Sequence, residues 1–263
     1  RDLVRSRGLG DVYKRQIFIR RFILMKLFFR ISVVAILFTL VFSQLAPQIS
    51  ATEENDASTT SYEQMKKEGK LDPDTTKEQY SELQTQLQQD KIEEKKEVSS
   101  DEFQNDTSTR AKFKLKPGDI LVTNASGSSN NGLTGHAAIA KNSKSVVEMP
   151  GYGKHIRTIK FSKFRHNHKT GKGKYIKVYR VSSKKGKKAA KWAAKQSKNK
   201  KLKYSLGMNI LNKHYSYCSK LVWQAYYYGA GKNTVRSKRS QQWVTPYKLA
   251  HNIKGAKKVK TYK

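Results

Sequence analysis

Acidic residues are almost absent from the C-terminal part of this chain. Residues 111–263 contain 37 Lys and Arg but only two carboxylates, Asp119 and Glu148, which gives this segment a formal net charge of +35. A segment of 153 residues has room for one globular domain. Any fold must keep most of these cations at the surface, so each of the two acids is a candidate for a specific role.

The first 51 residues have the pattern of an export segment preceded by unrelated sequence. Residues 1–24 lack a starting Met, residues 1–16 also lack any apolar periodicity, and we interpret the whole segment as a non-native leader. Residues 25–51 resemble a secretory signal peptide, with basic residues before an apolar run at 31–42 and the small residue Ala51 at the end. Because that run is shorter than the ~20 residues of a spanning helix, we expect cleavage and no stable membrane span. An uncleaved anchor is the alternative.

An acidic spacer separates the signal segment from the basic domain. Residues 52–110 hold 16 Asp and Glu against 8 Lys and Arg, with Gln, Ser and Thr supplying much of the remainder. Such a composition favours a polar stalk, because it buries too little apolar surface to offset the entropy of ordering the chain. One helix is predicted inside it, from a capping box at Thr75 and Glu78 to Leu87. A short coiled coil or a partner-binding helix is the alternative.

The basic domain has strand patterns first and helix patterns afterwards. Apolar, β-branched runs between Gly, Pro and Asn turns predict strands, and longer apolar patterns predict helices. The predicted strands are 120–123, 136–140, 145–149 and 175–181, and the predicted helices are 187–196 and 219–228. This order predicts an α+β fold.

The chain contains a single cysteine, Cys218, which lies at the predicted start of the second helix. It has no partner in the chain for a disulfide. A thiol at a helix N-terminus faces unpaired backbone N–H groups and the positive end of the helix dipole, which favour the thiolate. Cys218 is therefore a candidate nucleophile. A small buried side chain that only packs is the alternative.

A predicted hairpin supplies the base and the orienting group that a cysteine nucleophile needs. If residues 141–143 form a three-residue turn, His136 lies directly opposite Glu148, with Cβ atoms about 4.5–5.5 Å apart on one face of the sheet. A turn of two or four residues would place them on opposite faces, and the sequence does not choose between these lengths. The candidate triad is Cys218, His136 and Glu148.

Other polar residues of the domain have less specific surroundings. His166 and His168 fall in a loop rich in Lys and Gly without a nearby carboxylate, so we expect no metal site, and no cofactor is implied. Asp119 follows Gly118 in a predicted turn, where a carboxylate can bond local backbone N–H groups. We therefore expect a structural role for Asp119.

Four motifs, taken in their order along the chain, resemble the NlpC-type cysteine hydrolases, and more narrowly the circularly permuted, YiiX-like papain-fold branch. They are Pro-Gly-Asp-Ile-Leu at 117–121, Gly-His-Ala-Ala-Ile-Ala at 135–140, Val-Val-Glu at 146–148 and Tyr-Cys-Ser-Lys-Leu-Val at 217–222. The resemblance spans residues 113 to about 229. It implies a permuted papain-like α+β fold for residues 111–263, with an antiparallel sheet packed against helices. It also implies attack of a thiol on an amide or ester.

The resemblance further implies which residues act. Cys218 corresponds to the nucleophile, His136 to the base and Glu148 to the orienting residue. Tyr204 is similar to a tyrosine that precedes the cysteine helix in these enzymes, where it lines the site and supports the oxyanion. Tyr217 and Ser219 flank the nucleophile and are further candidates for substrate binding. Many non-permuted relatives carry Asp in place of Tyr217, so we expect the contacts around the nucleophile to differ here.

The cationic surface predicts an anionic partner. Nucleic acid is the generic candidate, but the chain carries no recognised nucleic-acid motif. For an exported protein, teichoic acids and anionic lipid head groups attract cations by the same salt-sensitive electrostatics. The short basic leader, the Lys- and Asn-rich composition and the lack of disulfides indicate a Gram-positive envelope. We therefore expect a secreted protein associated with the cell wall.

These observations predict a secreted cysteine hydrolase that cleaves an amide bond. The resemblance implies peptidoglycan stem peptides as the substrate. Two alternatives remain open. The first is an amidase or acyltransferase of the same fold that acts on N-acyl or ester lipids. The second is a catalytically silent cationic module that binds wall polymers, with Cys218 only packed.

Overall fold

A six-stranded antiparallel sheet lies at the centre of the computed structural model, which describes residues 61–101, 113–125, 134–168 and 173–263. The strands are β1 (Ile120–Thr123), β2 (His136–Ala140), β3 (Ser145–Glu148), β4 (Arg157–Lys160), β5 (Ile176–Arg180), β6 (Lys203–Tyr204), β7 (Tyr215–Ser216) and β8 (Lys257–Tyr262). The strand order in the sheet is β4-β3-β2-β1-β5-β8, whereas β6 and β7 form a separate parallel pair. The predicted leader and signal peptide lie outside the described residues.

A long helix precedes the strands, and shorter helices lie between strands of the basic domain. They are α1 (Lys77–Asp101), α2 (Phe161–Asn167), α3 (Ser183–Gln196), α4 (Cys218–Gln224) and α5 (Pro246–Asn252). A π-helical turn, Ala225–Ala230, continues α4, and residues 61–67 are also helical. Among the helices that the structure describes, none combines the length and apolar character needed to cross a membrane.

Both faces of the sheet are covered, which explains why the central strands are buried along their whole length. Ile120, Val122, Ala137, Ile139 and Val147 face the main core, together with apolar residues of α1, α3 and α4. Leu121, Ala138, Ala140, Val146 and Val178 face a smaller core, which Phe164 of α2 helps to fill. The predicted α+β class is confirmed, with an antiparallel sheet and several helices. The papain-like permutation stays a prediction.

The hairpin of β2 and β3 has a different register from the predicted one. Glu148 pairs with Ala138 rather than with His136, because five residues instead of three separate the paired positions Ala140 and Val146. Side chains alternate between the two faces of a strand, so a shift of two residues preserves the face on which each lies. Glu148 and His136 therefore still share one face, as diagonal neighbours.

Four of the described strands were not predicted from the sequence because they lack a clear apolar pattern. β4 has one apolar residue among four, and β6 and β7 contain only two residues each. β8 has the sequence Lys-Lys-Val-Lys-Thr-Tyr and forms one edge of the sheet. Lysines are common on edge strands because they oppose pairing with another chain.

The helix predicted inside the spacer is present as α1, with its cap displaced by one residue. The backbone N–H of Thr76 donates to Oε1 of Gln79 (3.1 Å), and the N–H of Gln79 donates to Oγ1 of Thr76 (3.3 Å). This reciprocal pair is the capping box. Thr75, the predicted cap, instead donates its hydroxyl to the carbonyl of Leu206 (3.1 Å).

The apolar side of α1 packs into the main core of the domain. Tyr80, Leu83 and Leu87 are at most 3% exposed there. The indole of Trp243 also donates to the carbonyl of Gln79 at 3.0 Å. The core thus extends to residues on the N-terminal side of position 111, the boundary expected for the basic domain.

The acidic side of α1 meets cations and hydroxyls of the basic domain. Lys177 is 1% exposed, and its Nζ lies 2.7 Å from Oε1 of Glu94. Glu93 pairs with Lys248, and Asp90 accepts a hydrogen bond from the hydroxyl of Thr245. A buried ammonium group without such a partner would be costly, so Glu94 compensates the burial of Lys177.

We expect the Leu83→Ala variant to lower the free energy of unfolding by about 2–5 kcal/mol, because it leaves a cavity in the main core. Gln88→Ala, at an exposed position of the same helix, is the control and should change stability by less than about 0.5 kcal/mol. Urea unfolding measures both. Equal stabilities of the two variants would show that α1 does not pack on the domain.

Candidate active site

Cys218 is the first residue of α4, as the sequence predicts, and is 3% exposed. The preceding residue, Tyr217, has an extended backbone and caps the helix. Because α4 packs across β2, the thiol lies against the start of that strand and forms hydrogen bonds with the backbone of Ala137 and the side chain of His136.

The imidazole of His136 lies between the thiol and a carboxylate. Its Nε2 and Oε2 of Glu148 are 2.9 Å apart, and the ring also hydrogen-bonds with Cys218. Because Nε2 is directed at Glu148, Nδ1 is the nitrogen directed at the sulfur. The structure thus brings together the three residues of the predicted triad, with the histidine in the middle.

Arg157 extends this arrangement by one residue. Oε1 of Glu148 accepts a hydrogen bond from Nε of Arg157 (2.8 Å) and forms an ion pair with its Nη2 (2.7 Å). The two residues are direct partners in the pairing of β3 with β4. Sequence reasoning missed Arg157 because it missed β4. A carboxylate that is 1% exposed needs such partners, so both oxygens of Glu148 are occupied.

The electrostatics of the site favour a charged thiolate–imidazolium pair. Burial alone would raise the pKa of Cys218, but the hydrogen bond and the positive charge of His136 outweigh it and lower the pKa. Burial alone would lower the pKa of His136, but Cys218 and Glu148 raise it to about 9. Burial likewise opposes ionisation of Glu148, while His136 and Arg157 hold its pKa below the ordinary value. Each charge thus stabilises its neighbour.

His168 stacks on the histidine of the triad. The two ring centroids are 4.9 Å apart at an interplanar angle of 19°, and Phe164 lies on His168 at 4.5 Å. Nδ1–H of His168 donates to the carbonyl of Ala125 at 2.6 Å. Burial and the charge of His136 lower the pKa of His168 to about 4, so this imidazole is neutral near pH 7. The sequence places His168 in an unstructured loop, whereas it directly follows α2 and is 5% exposed.

The same side chains have the donor set of a small metal site. Ligand atoms of His136, Glu148 and His168 all lie within 4.8 Å of one another. The hydrogen bonds of His136 and Glu148 already join these two residues to each other, to Cys218 and to Arg157. A cation at this position would have to displace the pairing of His136 with Glu148.

The flanking candidates occupy different positions around the thiol. Tyr204 is 5% exposed; burial raises its pKa, and the negative charge of nearby Cys218 adds to that rise. The phenol oxygen of Tyr217 accepts the N–H of Val244 at 3.2 Å, and the hydroxyl of Ser219 donates to the carbonyl of the same residue at 2.6 Å. Tyr217 and Ser219 therefore fasten α4 to the segment before α5. The role of Tyr204 in lining the site and supporting the oxyanion stays a prediction.

Asp119 has the structural role expected from the sequence. Its Oδ2 accepts the backbone N–H of Lys116 at 2.8 Å, which closes the turn before β1. The carboxylate also accepts from Nε of Arg180 at 2.8 Å and from its Nη2 at 2.6 Å. Both acids of the basic domain thus pair with an arginine.

A buried thiol joined through histidine to glutamate on an α+β scaffold defines a candidate cysteine-dependent enzyme. The chain belongs to the family described as lipoprotein N-acylation protein LnsA-like, whose model matches residues 80–263. This membership suggests an enzyme that acts on acyl groups. It supports the predicted enzyme class in outline, without confirming the narrower NlpC-type assignment.

Other comparisons add one relative. A Bacillus thuringiensis protein described as an uncharacterized 30.3 kDa protein is 37% identical to this chain over 162 residues. The matched part covers 57% of this chain and 58% of that protein, so the chain spans less than two thirds of the relative's length. No solved structure matches the chain.

We expect alkylation of Cys218 by iodoacetamide to reach its maximal rate at lower pH than alkylation of a model thiol, because His136 lowers the thiol pKa. In Arg157→Gln, the loss of a positive charge and of the bonds that orient Glu148 should both move the midpoint to higher pH. Lys160→Gln, which removes one charge from an exposed position of the same strand, is the control and should leave the midpoint in place. Mass spectrometry measures the rates. Identical midpoints in wild type and Arg157→Gln would contradict the role of Arg157 in positioning Glu148.

Proposed function

We propose that this protein is a cysteine-dependent acyltransferase that carries an acyl group on Cys218 as a thioester. The observation that carries the proposal is the hydrogen-bonded order of Cys218, His136 and Glu148 in a chain of the LnsA-like family. An ester lipid is the acyl donor, and an amine is the acceptor. The family's description names lipoprotein N-acylation, which suggests the N-terminal amine of a lipoprotein as that acceptor.

The first half of the reaction acylates the cysteine. The thiolate of Cys218 attacks the carbonyl carbon of the ester, a C–S bond forms, and the carbonyl electrons move to oxygen. When the tetrahedral intermediate collapses, the C–O bond breaks and the proton of imidazolium His136 passes to the leaving alkoxide. The products are a thioester on Cys218 and a lipid alcohol. The Glu148 carboxylate holds the imidazole in place through both proton transfers.

The second half transfers the acyl group. The amine attacks the thioester carbonyl, neutral His136 takes a proton from the nitrogen, and the C–S bond breaks to return the thiolate. An amide forms, and no oxidant or reductant is needed. If water attacks instead, the same steps give a free acid. The low exposure of Cys218 (3%) and His136 (6%) favours transfer over hydrolysis, because a buried thioester is shielded from water.

We also propose that the protein acts at an anionic surface outside the cell. The exposed face of α3 carries the lysines Lys184, Lys185, Lys187, Lys188, Lys191 and Lys195. Such a face attracts lipid head groups and teichoic acids alike. An ester-lipid donor makes the membrane surface the natural place of action. The family match lends no support to peptidoglycan stem peptides, the substrate expected from the sequence.

The test incubates the purified protein with vesicles of ester phospholipid and records its intact mass. We expect an acyl adduct on Cys218 that hydroxylamine removes, and its loss when a lipopeptide with a free N-terminal amine is added. Cys218→Ala should form no adduct, and Glu148→Gln should acylate about 10²- to 10⁴-fold more slowly, since the base loses its orienting carboxylate.

Acylation that persists in Cys218→Ala would contradict the proposal. So would a wild-type protein that forms no adduct with any ester lipid but cleaves peptidoglycan, because that result would restore the substrate expected from the sequence. A free fatty acid as the only product, with lipopeptide present, would replace the transferase by a hydrolase.

A further inference from the structure

A cavity of about 440 Å³ shares one lining residue, Tyr204, with the surroundings of Cys218. Its size falls within the range of small-molecule sites, which are mostly apolar with a few polar groups. Its walls come from four stretches of chain: residues 69–73, residues 152–155, strand β6 and the first residue of β7.

Three of these walls belong to segments that lie close to the candidate triad along the chain. Tyr204 lines it, and the charge of Cys218 acts on the phenol of this tyrosine. Tyr215, two residues before the helix cap Tyr217, also lines it. The stretch 152–155 connects β3, which carries Glu148, to β4, which carries Arg157. Tyr204 is therefore the residue through which the cavity and the surroundings of the thiol are connected.

The lining has two chemical halves. The apolar and aromatic half is formed by Leu71, Pro73, Tyr152, Tyr204 and Tyr215. The other half carries Lys154, His155 and Lys203, and the described residues of the lining include no carboxylate. Apolar walls favour a hydrocarbon chain, and ammonium groups favour a phosphate or another anion.

We propose that this cavity binds the acyl donor and selects one with an anionic head group. The acyl chain lies along the tyrosines and Leu71, while the phosphate of the head group meets Lys154 and Lys203. The inference rests on the proposed acyl transfer and adds the site and the class of the donor, an anionic ester phospholipid. A phosphate polymer of the wall shares the anion but lacks the acyl chain, so it would use only half of the lining.

One wall of the cavity lies N-terminal to the part of the chain that the family model matches, residues 80–263. Leu71 forms an isolated parallel bridge with Leu206, in which the N–H of Leu206 donates to the carbonyl of Lys70 (2.9 Å) and the N–H of Asp72 donates to the carbonyl of Leu206 (2.7 Å). The acidic spacer thus helps to build the donor site.

The test measures binding to the full chain carrying Cys218→Ser, so that no turnover occurs. The probes are 1-lauroyl-lysophosphatidylglycerol, its phosphatidylcholine counterpart and glycerol phosphate, each below any micelle concentration, in a calorimeter. We expect the anionic lysolipid to bind at least about tenfold more tightly than either of the others, a difference of about 1.4 kcal/mol. Equal binding of the two lysolipids would refute the selection by charge.

Charge reversal locates the site. Lys154→Glu with Lys203→Glu should weaken binding of the anionic lysolipid at least about tenfold, since two attractions become repulsions. Lys141→Glu with Lys144→Glu changes the net charge equally at two exposed positions of the turn between β2 and β3, outside the cavity lining. We expect this control to stay within about twofold of the parent. Equal losses in both pairs would show a diffuse surface effect and overturn the proposal.

A third variant tests the apolar half. Tyr152→Ala should reduce binding of the lysolipid but not of glycerol phosphate, whereas Tyr152→Phe should keep both, because the ring forms the wall. Equal loss for both probes would mean that a wall polymer, rather than a lipid, fits the cavity.

The two proposals fail in different ways. A wild-type protein that acquires no acyl adduct would refute the transfer, while these binding results would still decide the ligand of the cavity. If an adduct forms but the affinity for the lysolipid is unchanged in the variants at 152, 154 and 203, only the donor site is refuted.

Discussion

The buried carboxylate of Glu148 is the constraint on which the candidate active site depends. An ion that is 1% exposed is stable only when its oxygens are occupied by donors, and here His136 takes one oxygen and Arg157 the other. These bonds orient the imidazole of His136, on β2, toward the start of α4, where it hydrogen-bonds with the thiol of Cys218. The pairing of β2, β3 and β4 places the three partners side by side. The sheet thus supplies the geometry, and the pairing supplies the charge that favours the thiolate of Cys218.

The sequence predicts the members of this site better than their arrangement. Glu148 stands out because the basic domain has one other acid, and Cys218 because it begins an apolar helix. The predicted hairpin placed His136 on the correct face of the sheet, although its register was wrong. The face is preserved because the observed register differs from the predicted one by an even number of residues. Arg157 and His168 were not predicted as site residues. Arg157 lies on a polar strand and His168 is placed by ring stacking, and local sequence patterns indicate neither feature. The papain-like permutation and the catalytic roles of the site residues stay predictions.

The composition of the spacer is a poor guide to its structure. Its excess of acids favours a stalk, yet Tyr80, Leu83 and Leu87 share one side of α1 and pack into the core. Its carboxylates form ion pairs with lysines far along the chain. One of these is Lys177, whose burial would be costly without an anionic partner. The opposite charges of the two segments are therefore partly neutralised within the fold. The segment around Leu71 lines the cavity that also contains Tyr204, so the spacer contributes both to stability and to the proposed donor site.

The proposed chemistry depends on an ion pair between Cys218 and His136, and nitrogen NMR of the imidazole can detect it. In the wild-type protein, the ¹⁵N shifts of His136 should show an imidazolium that loses its proton only near pH 9. In Cys218→Ala, where burial opposes the charge and the thiolate is gone, the same proton should be lost at a distinctly lower pH. An imidazole that is neutral at pH 7 in the wild-type protein, or one whose titration does not respond to the loss of the thiol, would contradict the claim.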